Sequence, residues 1–154
     1  MKVRGEFMTT KSVFFMIAVF LIICGYGCTG KSNESTVKDI AGEMLPGPEN
    51  KIKINEDMYF VYKFDKKPAL GNAVLKIEVF NSKNLKVTDL IITGDSGMPS
   101  MGSAHDSGAI KFSLNKYGNY LLPLNIVMPG EWVVKLQFVR DNITIFRGKI
   151  RFNV

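Results

Sequence analysis

The chain has 154 residues, 46% of them hydrophobic and 22% charged, with a net charge of +6, two cysteines and one histidine. That length suits a single hydrophobic core, and the basic residues are scattered rather than clustered, which argues against nucleic acid as a partner. The sequence contains no Gly-rich phosphate loop, no Cys-x-x-Cys pair and no carboxylate-rich cluster, so a hydrolase or oxidoreductase is a poor reading and a non-enzymatic protein is expected.

At the N-terminus, Lys2, Arg4 and Lys11 precede an unbroken apolar run from Val13 to Cys24, followed by Gly25, Tyr26 and Gly27. This is the anatomy of a secretory signal over residues 1–27. Its apolar core is shorter than the roughly 20 residues a membrane-spanning helix needs, although a retained signal anchor is the alternative. Cys28 stands where the apolar run gives way to polar sequence, an arrangement similar to a bacterial lipoprotein signal, in which the cysteine carries the lipid. Gly25 and Tyr26 depart from the usual residues before such a cysteine. The expected address is therefore extracytoplasmic and membrane-anchored, in a bacterial cell envelope or periplasm. Loss of the signal removes three basic residues and Glu6, taking the charge from +6 to +4. With Cys24 removed and Cys28 acylated, no disulfide or thiolate site is left to the folded part.

Residues 28–50 are rich in Ser, Asn, Gly, Lys and Glu and end in Leu45-Pro46-Gly47-Pro48, with few positions to bury. They are expected to be a flexible tether. From Ile52 the apolar period becomes two. Strands are expected at about 57 to 64, 72 to 80, 85 to 93, 109 to 114, 118 to 127, 131 to 140 and 143 to 153. Tyr120, Leu122, Leu124 and Ile126 share one face, as do Trp132, Val134, Leu136 and Phe138, and Met128-Pro129-Gly130-Glu131 between them suggests a type II turn in a hairpin. A second hairpin is expected at Arg140-Asp141-Asn142. The pattern predicts an all-β fold, a seven-stranded antiparallel immunoglobulin-like sandwich over residues 51–154.

The stretch from Gly94 to Gly108 is the least strand-like part of this domain. It holds Met98, Met101 and the single histidine, His105, among glycines and serines. Thioether and imidazole donors suit Cu(I). In an antiparallel seven-strand arrangement this loop and the Met128 turn share one end of the sandwich, so Met98, Met101 and His105, with Met128 as a fourth donor, form a candidate copper set. The residues equally fit a plain connection whose methionines cap the core, and Met128 follows the inward parity of its strand. Asp95 and Asp106 suit turns better than metal coordination. The adjacent His105, Asp106 and Ser107 do not make a triad, because nothing supplies an oxyanion hole.

Met98-Pro99-Ser100-Met101 with His105, then Gly118-Asn119-Tyr120, then Met128-Pro129-Gly130-Glu131-Trp132 together resemble the YtkA-like or FixH-type extracytoplasmic β-sandwich domain family. That resemblance implies an association with copper delivery or oxidase assembly and does not imply an enzyme. A structural or protein-interaction module of the cell envelope, with an envelope protein as partner and no metal, is the competing expectation.

Overall fold

The computed structural model describes residues 43–154, apart from the side chains of residues 103–105. The signal segment 1–27 and Cys28 lie outside the described residues. Alternating apolar residues produce nine strands among those described: β1 (Ile52–Lys53), β2 (Met58–Phe64), β3 (Gly71–Asn81), β4 (Ile91–Gly97), β5 (Ile110–Lys111), β6 (Ser113–Leu114), β7 (Tyr120–Ile126), β8 (Glu131–Arg140) and β9 (Ile143–Asn153). A 3-10 segment, Pro99–His105, is the only helical piece described.

The strands form two antiparallel sheets, one in the order β1-β2-β3-β7-β6 and one in the order β5-β4-β8-β9. Period two puts every second side chain on the face that the opposite sheet covers. Phe60 of β2 accordingly reaches across to Phe138 of β8 and Phe146 of β9, with ring centroids 4.8 and 5.2 Å apart, and Phe64 meets Phe152 at 5.0 Å. These contacts make the two sheets a sandwich, as the alternation leads one to expect.

Nine strands replace the expected seven for two reasons. β1 is too short to register as a period, yet Ile52 pairs with Phe60 and is buried. The run 109–114 is split between the sheets: Ile110 and Lys111 pair with β4, Ser113 and Leu114 pair with β7, and Phe112 between them is buried in the core. The run expected at 85 to 93 is also displaced. Val87 still bonds back to Val79, and the chain then crosses to the other sheet and starts β4 at Ile91. β4 continues into glycine-containing sequence because the sheets approach closely there. A Cβ on Gly94 would lie 2.6 Å from Leu122 Cδ2 and 3.0 Å from Phe112 Cε2, so a small residue belongs in this strand.

The hairpin expected between β7 and β8 does not form. β7 pairs with β3 and β6, whereas β8 pairs with β4 and β9, so the Met128–Glu131 connection passes from one sheet to the other. The two apolar faces were read correctly as faces, since all eight residues are buried. They face each other across the core instead of lying side by side. The β8–β9 hairpin does form, with Arg140 opposite Ile143 and both Asp141 (φ 50°) and Asn142 (φ 63°) in the left-handed region, as a type I′ turn requires.

The ordered domain also begins earlier than residue 51. Leu45 N donates to Lys149 O at 2.8 Å, Met44 bridges Lys149 in parallel, and Tyr62 Oη donates to Pro46 O at 2.7 Å. The Leu45 side chain packs over Gly148, where a Cβ would come within 2.9 Å of it. Residues 43–46, expected in the tether, are thus docked on the edge of β9 and on Tyr62 of β2. One leucine and three backbone carbonyls or amides suffice for this, too few to produce a periodic signal.

Candidate functional site

The glycine- and serine-rich stretch is closed at its neck by bonds within itself. Ser96 N donates to Ser107 Oγ at 2.9 Å, Ser107 N donates to Ser96 O at 2.8 Å, and the two hydroxyls lie 3.1 Å apart. Asp106 then folds back over Gly97, where any Cβ would overlap its Oδ1. This placement brings Asp106 Oδ2 to 2.7 Å from Lys135 Nζ, which also reaches Asp95 Oδ2 at 3.3 Å. The hydrogen bond that Lys135 donates to Asp106, helped by Asp95, raises the Lys135 pKa above its ordinary value despite some burial. Asp95 and Asp106 are therefore ion-pair partners of one lysine, a role that their positions in a turn-like sequence did not reveal. Ser107 Oγ is engaged with the backbone of Ser96.

Between Gly97 and Asp106 the chain makes 3-10 turns, with Met101 N donating to Met98 O at 3.0 Å and a break at Gly102 (φ 63°, ψ −165°). The break divides the segment that carries the candidate donors. Met98 is 6% exposed and belongs to the core cluster, whereas Met101 is 39% exposed. A Cβ on Gly130 would lie 3.0 Å from Met98 Cε, so the loop after β4 and the turn before β8 meet at one end of the sandwich. Met128, two residues before Gly130, is half-buried against the core, and its carbonyl accepts the Trp132 indole N–H at 3.0 Å. The structure thus brings Met98 to the turn that carries Met128 and leaves Met101 facing solvent nearby in sequence. The His105 side chain lies outside the described residues. Met58 is at the other end, where its sulfur accepts from Arg140 Nη1 at 3.5 Å. Among the described residues no group of three or more His, Cys, Asp or Glu could hold a metal ion.

A cavity of about 340 Å³ opens beside this loop. Met98, Pro99 and Val133 line it together with Met44, and Lys135, Lys149 and Arg151 supply charge. Sequence reasoning set Met44 aside as part of the tether. Its proximity depends on the docking of residues 43–46 along β9, which no local pattern announces. The lysines and arginine had a legible signal, since period two places Lys135 on the outer face of β8 and Lys149 and Arg151 on that of β9.

No protein-family model matches the chain, and no curated protein does. Among solved structures, the soluble domain of PmoD from Methylocystis sp. ATCC 49242 (Rockwell) is similar over 70% of this chain and 97% of that one, with a TM-score of 0.44 and 12% identity. A likeness that distant carries no functional argument. Among the described residues no helix is long and apolar enough to cross a membrane.

Proposed function

We propose that this protein is a membrane-anchored, extracytoplasmic, non-enzymatic binding domain that takes one Cu(I) through Met98, Met101 and His105, with Met128 as the fourth donor. The observation that carries the reading is the meeting of Met98 with Gly130, which puts the Met98 thioether beside the turn that carries Met128. Met98 and Met101 lie on one short segment, and sharing an ion would require their flexible thioether side chains to turn toward one another. Thioethers are neutral soft donors that keep affinity for Cu(I) where exposed thiols would be oxidised. Zinc gains little from them and is expected to bind weakly. Because imidazole coordinates only when neutral, binding is expected to weaken below about pH 6.5, the ordinary histidine value.

The anchor in this reading is an acyl chain on Cys28, with a retained signal segment as the other route, and fatty-acid labelling is expected to vanish in Cys28→Ser. The test of the metal is a Cu(I) titration of the full chain against a competing chromophoric chelator. Wild type is expected to withdraw one equivalent, and His105→Ala and Met101→Leu much less. If wild type withdraws none, or both variants match it, the thioethers are core caps and the domain is better described as an interaction module for an envelope protein.

A further inference from the structure

The cavity beside the four-stranded sheet shares Met98 with the thioether set and adds cations that the set does not use. Val133 points outward by strand parity, yet it is only 6% exposed. It lines the cavity with Met98, Pro99 and Met44, giving an apolar lining beside charged side chains. Three cations also line it, against the single carboxylate of Asp106.

The state of those cations decides what fits. Lys135 is held between Asp95 and Asp106, and Arg151 lies 3.4 Å from Glu131. Lys149 stands directly opposite Lys135 across the β8–β9 ladder, a like-charge pairing that destabilises a sheet unless something offsets it. Lys135 is offset by its two aspartates; among the described residues Lys149 has no ion-pair partner. Of the three lining cations, Lys149 alone has no carboxylate against it among the described residues, and beside apolar surface its ammonium suits a monoanion with an apolar tail. The volume of about 340 Å³ is at the small end of ligand-sized cavities, which suits a short chain.

We infer that this cavity binds a small aliphatic monocarboxylate, its carboxylate paired with Lys149 and its chain against Val133, Met98 and Met44. The docked residues 43–46 form one wall, since Met44 bridges the Lys149 backbone. The cavity shares Met98 with the copper reading, but its charge partner Lys149 is outside that donor set, so hexanoate binding and copper binding can fail separately.

The test uses the full chain in detergent with methyl-labelled methionine, so that the Met44 and Met98 methyl resonances report the cavity and partition into detergent does not. Hexanoate, hexanol and hexylammonium are titrated in turn. Hexanoate is expected to shift both resonances saturably, hexanol to do so at least tenfold more weakly, and hexylammonium not at all; Lys149→Gln is expected to weaken hexanoate at least tenfold. No saturable shift with hexanoate, equal responses to the three ligands, or an unchanged affinity in a folded Lys149→Gln overturns the proposal. Should that variant misfold, the ligand series on wild type decides alone.

Discussion

The two ends of the sandwich are closed by different means. At the end bearing the β8–β9 hairpin, closure comes from side chains rooted in the core strands: Tyr120 Oη accepts from Leu90 N at 3.1 Å, and Arg140 forks onto Asp89 at 2.7 and 2.8 Å. Beneath them Phe60, Phe138 and Phe146 pack ring on ring. At the opposite end closure is local, with Ser96 laced to Ser107 and Asp106 folded onto Gly97. That end leaves Met101 in solvent and a cavity beside Met98. The difference is in what each end contributes: the first holds the sheets together through core-rooted side chains, while the second is closed by its own loop and leaves surface residues that the fold does not use.

Phe138→Ala strikes the first end hardest. The side chain is fully buried between two other rings, so a loss of about 3–5 kcal/mol is expected in urea unfolding. A loss below about 1 kcal/mol would mean that the aromatic cluster is not the anchor described.

Truncation sharpens the boundary of the second end. Deleting residues 1–42 is expected to leave unfolding unchanged. Extending the deletion through residue 48 removes the Leu45 packing over Gly148 and the acceptor of Tyr62 Oη, at about 2 kcal/mol. Equal stability of the two truncations would restore the whole segment to the tether.

Asp89→Asn tests the side-chain closure more gently. The Arg140 hydrogen bond, outweighing partial burial, holds the Asp89 carboxyl below its ordinary pKa. A depressed carboxyl stabilises the fold above its unfolded pKa, and the contribution is lost as pH falls through the lower folded value. Wild type is therefore expected to exceed the variant by about 1 kcal/mol at neutral pH, a low figure because Asp89 is 64% exposed. The two curves are expected to converge in acid, below the ordinary carboxylate range near 3.9. A gap that persists unchanged into strong acid would contradict the ion pair. Smallest of all, Met101→Leu is expected to alter stability by less than about 0.5 kcal/mol, so any loss of copper in that variant reports the site and not the fold.

The same contrast explains what could be read in advance. Burial of Tyr120, Leu122, Leu124 and Ile126, and of Trp132, Val134, Leu136 and Phe138, follows from alternation, and Asp141-Asn142 marks its own turn. Alternation states which face is apolar and is silent on which neighbour a strand pairs with. The β7–β8 connection consequently looked like a hairpin although it joins the two sheets. Phe112 belongs to one alternating run whose halves pair in different sheets, a tertiary event with no local mark. At the candidate site, the residue types of Met98, Met101 and Met128 were visible, and so was the shared end of the sandwich. The role of Lys135 in gathering Asp95 and Asp106 was not, because it depends on a register across β4 and β8 that brings residues distant in sequence together. Met44 was hidden for the same reason.

X-ray absorption at the copper edge of the Cu(I)-loaded full chain tests the central claim most directly. The account predicts a first shell dominated by sulfur with one nitrogen, losing one sulfur in Met101→Leu and one in Met128→Leu while both variants stay folded. A shell of nitrogen and oxygen alone, or one that neither substitution changes, would contradict a thioether site at this end of the sandwich.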